Sequence, residues 1–137
     1  MESIVNMVCG VPGMLPLMII ISRSGYVVLR RREVYGYRMS ISPRIFKSVG
    51  SILEGLGLAR LASREDGLGL AIVATKKGQK IIPEVVRRIE EEISRLGPKA
   101  IFDRAPSRDP ANILRELKRV ERLYERIREI QNRSGRS

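Results

Sequence analysis

The first strong pattern along the chain is an uncharged, largely apolar run over residues 4–21, broken by Gly10, Pro12, Gly13 and Pro16. The breaks predict a short helix over about residues 2–9, a turn at Gly10-Val11-Pro12-Gly13, and a buried helix from about Met14 to Arg23. Pro16 is tolerated in that helix because the first turn does not need its N–H. The run just reaches the length of a membrane span, and Arg23 with Arg30, Arg31 and Arg32 would supply a cytoplasmic flank. The Gly and Pro breaks favour a core helix and make a membrane partner the minor alternative. The basic start of a secretory leader is missing, since only Glu2 stands there.

Ser24-Gly25 then marks a turn, Tyr26-Val27-Val28 a short strand, and residues 30–39 a helix. Ser42-Pro43 is a strong helix start: the Ser hydroxyl accepts free N–H groups and Pro fits the first helical position. From there Ile45, Phe46, Val49, Ile52, Leu53 and Leu56 fall on one helical stripe, with Arg44, Lys47, Ser48 and Ser51 opposite. Gly55 and Gly57 end that helix, predicted over 43–56. Residues 58–62 and 70–74 read as two strands around Asp66-Gly67, a favoured hairpin turn. A helix over about 79–96 follows, with Ile82, Val85, Val86, Ile89, Ile93 and Leu96 on one face, stopped by Gly97-Pro98. Residues 98–110 read as a linker, and Asp109-Pro110-Ala111 opens a last helix over about 111–131.

That last helix repeats Ile113, Leu117, Val120, Tyr124 (or Leu123) and Ile127 at nearly heptad spacing. Arg115, Lys118, Arg119, Arg122 and Arg126 flank one side, and Glu121, Glu125 and Glu129 the other. A long amphipathic helix must lay its stripe on another element. The expectation is a homodimer seam built from Ile82, Ile89, Ile93, Leu96, Ile113, Leu117, Val120, Tyr124 and Ile127, helped by residues 1–13. The alternatives are a hairpin within one chain, or a basic face that itself lies along DNA or another protein.

Composition narrows the chemistry. Lys plus Arg number 26 against 15 Asp plus Glu, a net charge of +11, with no His and one Cys. Absent His removes the commonest general base and metal ligand, and a lone Cys9 makes no internal disulfide. No phosphate loop, nucleophile elbow or metal spacing appears. GLGL at 55–58 and 67–70 is explained by a helix end and a turn, and Glu90-Glu91-Glu92 by a solvated helix face. The reading is therefore a non-enzymatic protein without a cofactor. The excess of positive charge calls for an anionic partner. Six aromatic residues are few for stacking unpaired bases, which favours double-stranded DNA. The charge is spread, however: residues 97–137 carry more of it than residues 26–75.

Residues 41–82 resemble the winged helix-turn-helix of MarR-like and PadR-like transcriptional regulators. The resemblance rests on Ser42-Pro43, on Leu53-Glu54-Gly55-Leu56-Gly57-Leu58, on Asp66-Gly67 at the wing tip, and on Thr75-Lys76-Lys77-Gly78 about 20 residues after the Leu-Glu motif. It extends more loosely over residues 14–96. It implies a mainly α fold with a small β-hairpin wing, in three parts. Residues 1–13 would be a helical extension, 14–96 the winged helix, and 97–137 a linker and dimerisation helix. Tyr35-Gly36-Tyr37-Arg38-Met39 would lie in the second helix, with Gly36 letting the second and third helices approach.

The implied function is a dimeric, cytoplasmic DNA-binding regulator that reads the major groove with residues 43–56. Arg44 and Lys47 are the first candidates for base edges or phosphates, then Ser48 and Ser51, with Gly50 keeping the surface low. Lys76 and Lys77 at the base of the wing face the DNA backbone. Arg64 near the wing tip is a minor-groove candidate, opposed by Glu65 and Asp66. Arg30, Arg31 and Arg32 at the start of the second helix would clamp phosphate, or else form a solvated face. The resemblance also implies a small-molecule effector site between the DNA domain and the dimer helices, although no residues here identify one. The rival function is a winged-helix protein-interaction module in a transcription, segregation or division assembly.

Overall fold

A computed structural model gives the arrangement of the chain and describes residues 1–63 and 69–134. Its elements are α1 (Glu2–Gly10), α2 (Met14–Ser24), β1 (Tyr26–Arg30), β2 (Glu33–Val34), β3 (Met39–Ser40) and α3 (Pro43–Gly55), followed by β4 (Ala59–Ser63), β5 (Gly69–Ala74), α4 (Lys76–Leu96), α5 (Lys99–Phe102) and α6 (Pro110–Ser134). The architecture is mixed α/β: helices cover one side of an antiparallel sheet ordered β3-β2-β1-β5-β4.

Helix α2 lies at the centre. Every residue from Met14 to Ile21 is buried, so this helix is apolar all round, as a core helix must be. It packs against α1, α4, α6 and β1. Each fully buried Leu, Ile or Met contributes about 1.5–3 kcal/mol, which makes α2 the largest single store of apolar burial. Among the described residues, no helix is long and apolar enough to cross a membrane.

The helix expected over residues 30–39 does not form. In β1, Val27 and Leu29 are buried while Tyr26 and Arg30 are exposed, which is strand alternation. The strand pairs fully with β5, from Tyr26 opposite Val73 to Arg30 opposite Gly69. It then turns back through Arg31 and Arg32, placing Val34 beside Leu29 in the core. Tyr35 to Arg38 form a second turn, with positive φ at Gly36 and Arg38. Tyr37 packs half-buried against the core, and the buried residues of this stretch are Val34 and Met39. Their spacing of five gives no helical stripe, while pairing satisfies the backbone. A mid-helix Gly36 would also have cost about 1 kcal/mol. The second helix that the resemblance implied is absent, and β2 and β3 occupy that stretch.

Of the residues expected in a dimer seam, Ile82, Ile89, Ile113, Val120 and Ile127 are buried within the single chain, and Leu123 rather than Tyr124 takes the central inward position. Helix α6 folds back onto α2, which covers much of this stripe. Ile93, Leu117 and Tyr124 are half-buried, and Leu96 is 45% exposed. One cluster of buried residues runs from Val5 to Ile127 across the three expected parts.

Charged groups in the expected linker do much of this joining. Arg104 binds Glu92 through two hydrogen bonds and also reaches Glu2 and Asn6. The Arg104 guanidinium thereby holds the Glu92 carboxyl below the usual carboxylate range. Arg88 also pairs with Glu2, tying α4 to α1. Arg108 pairs with Glu116 at 3.2 Å, the two side chains each 7% exposed, and donates to the Cys9 carbonyl and the Asn112 side chain. Glu116 in turn accepts the Gly13 N–H at 2.6 Å, across 103 residues of sequence. Gly13 is the N-cap of α2 at φ +81, and a Cβ there would meet Ile45 Cγ2 at 2.6 Å. Glu116 therefore satisfies, from α6, the N–H of the residue that starts α2, and its carboxylate sits at the positive end of that helix.

Glu116→Ala leaves the Arg108 guanidinium buried and unpaired. The expected loss is about 3–5 kcal/mol, read from urea unfolding followed by circular dichroism. A loss below about 1 kcal/mol, the size of an exposed pair, would refute this role.

Candidate nucleic-acid interface

Helix α3 is oriented by its two faces. Phe46, Val49, Gly50 and Leu53 are buried, while Arg44, Lys47, Ser48 and Ser51 are exposed, as the stripe predicts. The start is also as predicted: Ser42 Oγ accepts the Ile45 N–H at 3.1 Å, and Pro43 takes the first helical position. Gly50 has a different job from the one expected. It is buried against β4, where a Cβ would stand 2.8 Å from Leu61 Cδ1. Its missing side chain sets how closely α3 lies on the sheet, rather than lowering the outer surface.

The far end of α3 is locked to α4. Thr75 Oγ1 accepts the Gly78 N–H at 3.0 Å, capping α4, and donates to the Gly57 carbonyl at 2.7 Å. The Leu58 carbonyl accepts the Thr75 N–H at 3.0 Å, and Lys77 Nζ donates to the Leu56 carbonyl at 3.4 Å. A Cβ on Gly78 would fall 1.8 Å from the Leu58 oxygen, a backbone atom that cannot step aside. Gly57, at φ +73, makes the turn that brings these groups together. Two of the four motifs that carried the sequence resemblance, Leu53 to Leu58 and Thr75 to Gly78, are therefore the two halves of one contact. Glu54 adds a bond from α3 to the Leu61 N–H of β4.

Basic groups stand at both ends of the exposed α3 face. Arg31, at φ +60 in the β1–β2 turn, shares a cleft of about 430 Å³ with Pro43, Lys47 and Ser63. Lys76 and Lys77 are exposed at the other end, with Lys77 partly engaged by the helix terminus. Between them lie Ser48 and Ser51. Arg30, Arg31 and Arg32 do not start a helix, and they do not act as a unit. Arg30 lies over the Tyr35 ring at 5.2 Å, Arg31 borders the Lys47 cleft, and the Arg32 carbonyl holds the Ile41 N–H. The predicted wing-tip residues, Arg64 to Gly67, lie outside the described residues. The strands that flank them pair in register from Ala59 opposite Ala74 to Ser63 opposite Leu70.

The basic flank of the last helix, expected from the sequence, forms one wall of a groove between α6 and the β2–β3 turn, lined by Arg119, Arg122 and Arg126 with Arg38 across from them. Arg38 was not expected there, because the turn that carries it was read as helix. An apolar cavity of about 580 Å³ also opens between α4 and α6, bordered by Leu15, Ile93, Leu114, Leu117 and Tyr124. The Tyr124 hydroxyl is buried there, near the Glu90 carboxylate but without a well-formed hydrogen bond among the described residues; burial first, and then Glu90, push its pKa well up. Cys9, by contrast, is buried in the core, where desolvation pushes its thiol up to about 11 and leaves it neutral.

Gly78→Ala is expected to disrupt the α3–α4 lock and destabilise the protein by more than the ordinary helix gain from Ala, which is about 1 kcal/mol in the other direction. Thermal unfolding measures it, and an unchanged or raised midpoint would remove the close approach as a constraint. A scan against protein-family models, a search of curated proteins and a search of solved structures each found no match to this chain.

Proposed function

We propose that this protein is a non-enzymatic, double-stranded DNA-binding regulator of transcription that places α3 in the major groove. The observation that supports this most is the outer face of α3. Arg44 and Lys47 are exposed and make no ion pair among the described residues, beside the small side chains of Ser48 and Ser51. An α-helix fits the major groove, and long basic side chains beside small ones let its surface approach base edges. Thirteen residues give α3 a length of about 20 Å, with Arg31 near its start and Lys76 near its end placed to meet phosphates.

One observation favours the interaction-module reading. On the outer face of the sheet, Tyr26 and Val73 are paired and 52% and 45% exposed. This apolar surface suits contact with another protein.

Gel shifts with random duplex at low salt, followed by selection of preferred sites, test the DNA reading. Arg44→Ala with Lys47→Ala is expected to weaken binding to a selected site by about 1–3 kcal/mol for each base edge that these side chains read. Unchanged affinity after both substitutions would remove α3 from the reading role.

Two-half-site reading calls for a homodimer. With part of the α6 stripe covered within the chain, a second copy would meet the α4–α6 groove, lined by Ile93, Leu117 and Tyr124 of the expected seam and by the exposed Leu114. Sedimentation at micromolar concentration should then show a species at twice 15.5 kDa, and a lone 15.5 kDa species would exclude the dimer.

A further inference from the structure

The strongest unassigned concentration of charge is the groove of about 420 Å³ between α6 and the β2–β3 turn. Arg38, Arg119, Arg122 and Arg126 line it, with Ser40 at its edge. Arg126 is held in place: its Nε donates to the Gly36 carbonyl at 3.1 Å and its guanidinium pairs with Glu129 at 3.0 Å. The other three arginines are exposed and make no hydrogen bond or ion pair among the described residues. Glu125 is the only other acidic group among the described lining residues, so the groove remains net positive.

Like charges gathered on one surface repel, and an anion seated between them relieves that repulsion. The guanidinium fork matches the paired oxygens of a phosphate better than any other side chain does. The groove is lined mostly by charged and polar side chains, with Tyr37, Met39 and Leu123 as its apolar members. Its position also fits a backbone contact. Ser40 lies on the groove and Pro43 opens α3 three residues later, so about 10 Å of chain at most separates them. That distance is about three base-pair steps of duplex.

We propose that this groove holds the DNA phosphodiester backbone beside the stretch that α3 engages, as a second, sequence-independent anchor. The inference rests on the DNA-binding reading of α3. It assigns to α6 a part of the binding surface that lies outside the resemblance to winged helices. It also accounts for the positive charge carried by residues 97–137, which the α3 face alone leaves without a role.

The test uses the full chain and a labelled duplex of about 30 base pairs and random sequence, with binding followed by fluorescence anisotropy between about 50 and 200 mM salt. Each phosphate contact adds about 0.9 to the slope of log affinity against log salt. Arg119→Ala with Arg122→Ala should therefore lower the slope by about 1.8, so that affinity falls roughly tenfold less than in the wild type across that range. Arg87→Ala with Arg128→Ala removes the same charge from exposed positions outside the groove and should leave the slope unchanged.

Arg119→Lys with Arg122→Lys should keep the wild-type slope while binding several-fold more weakly, because the charge stays and the fork is gone. Equal slopes for the groove pair and the outside pair would overturn the proposal, as would lysine variants that bind as tightly as wild type. A wild-type protein that does not bind duplex at the lowest salt would remove the α3 reading and this one together. Loss of site preference in the Arg44/Lys47 variant, with groove variants indistinguishable from wild type, would remove this one alone.

Discussion

A buried carboxylate at the start of a buried helix holds this molecule together. Helix α2 has apolar side chains on every side, so it must sit inside, and its first N–H groups must find partners there. The turn before it contains two glycines and a proline, and offers no side-chain cap. Glu116 of α6 accepts the Gly13 N–H at that start, and Arg108 neutralises the carboxylate. The charge pair is deep enough that neither partner tolerates loss of the other. Through it, the end of the chain is fastened to its beginning, and the apolar stripe of α6 closes over α2.

The second constraint is the contact between the end of α3 and the start of α4. Thr75, Gly57 and Gly78 join two helices through backbone groups, with Gly78 allowing an approach no side chain would permit. Gly50 does the same between α3 and β4. Both contacts use absence of a Cβ to fix the direction of α3, so its polar face is held outward by close packing on the other side. A face held rigidly in this way is suited to meeting another rigid surface, because little ordering remains to be done on binding. The proposed DNA contact draws on that rigidity, and the arginine groove of α6 lies next to the same helix start.

Local rules were enough where local chemistry decides. The ends of α2, α3 and α4 were legible because Gly25, Ser42-Pro43 and Gly97-Pro98 act within a turn of their own position. The outward set of Arg44, Lys47, Ser48 and Ser51 was legible because a 3.6-residue period sorts a helix into two faces. Residues 30–39 were misread because their few apolar side chains fit no period well. Distant β5 pairs with β1, and β2 and then β3 add to the other edge of β1, so these residues run as strands. Gly50 was misread for a related reason: small residues look alike in sequence whether they face solvent or admit a neighbour.

The sequence by itself determined that the first apolar run would be split by its Gly and Pro residues, that α3 would carry a basic outer face, and that a long amphipathic helix would close the chain. These follow from propensity, capping and periodicity, which depend only on near neighbours. Tertiary structure alone decided what the α6 stripe would cover. A heptad-like stripe fits a partner helix or the chain's own core equally well, because burial of apolar area has no direction. The choice fell to specific polar contacts between distant residues, Glu116 with Gly13 and Arg108, which a one-dimensional pattern does not contain.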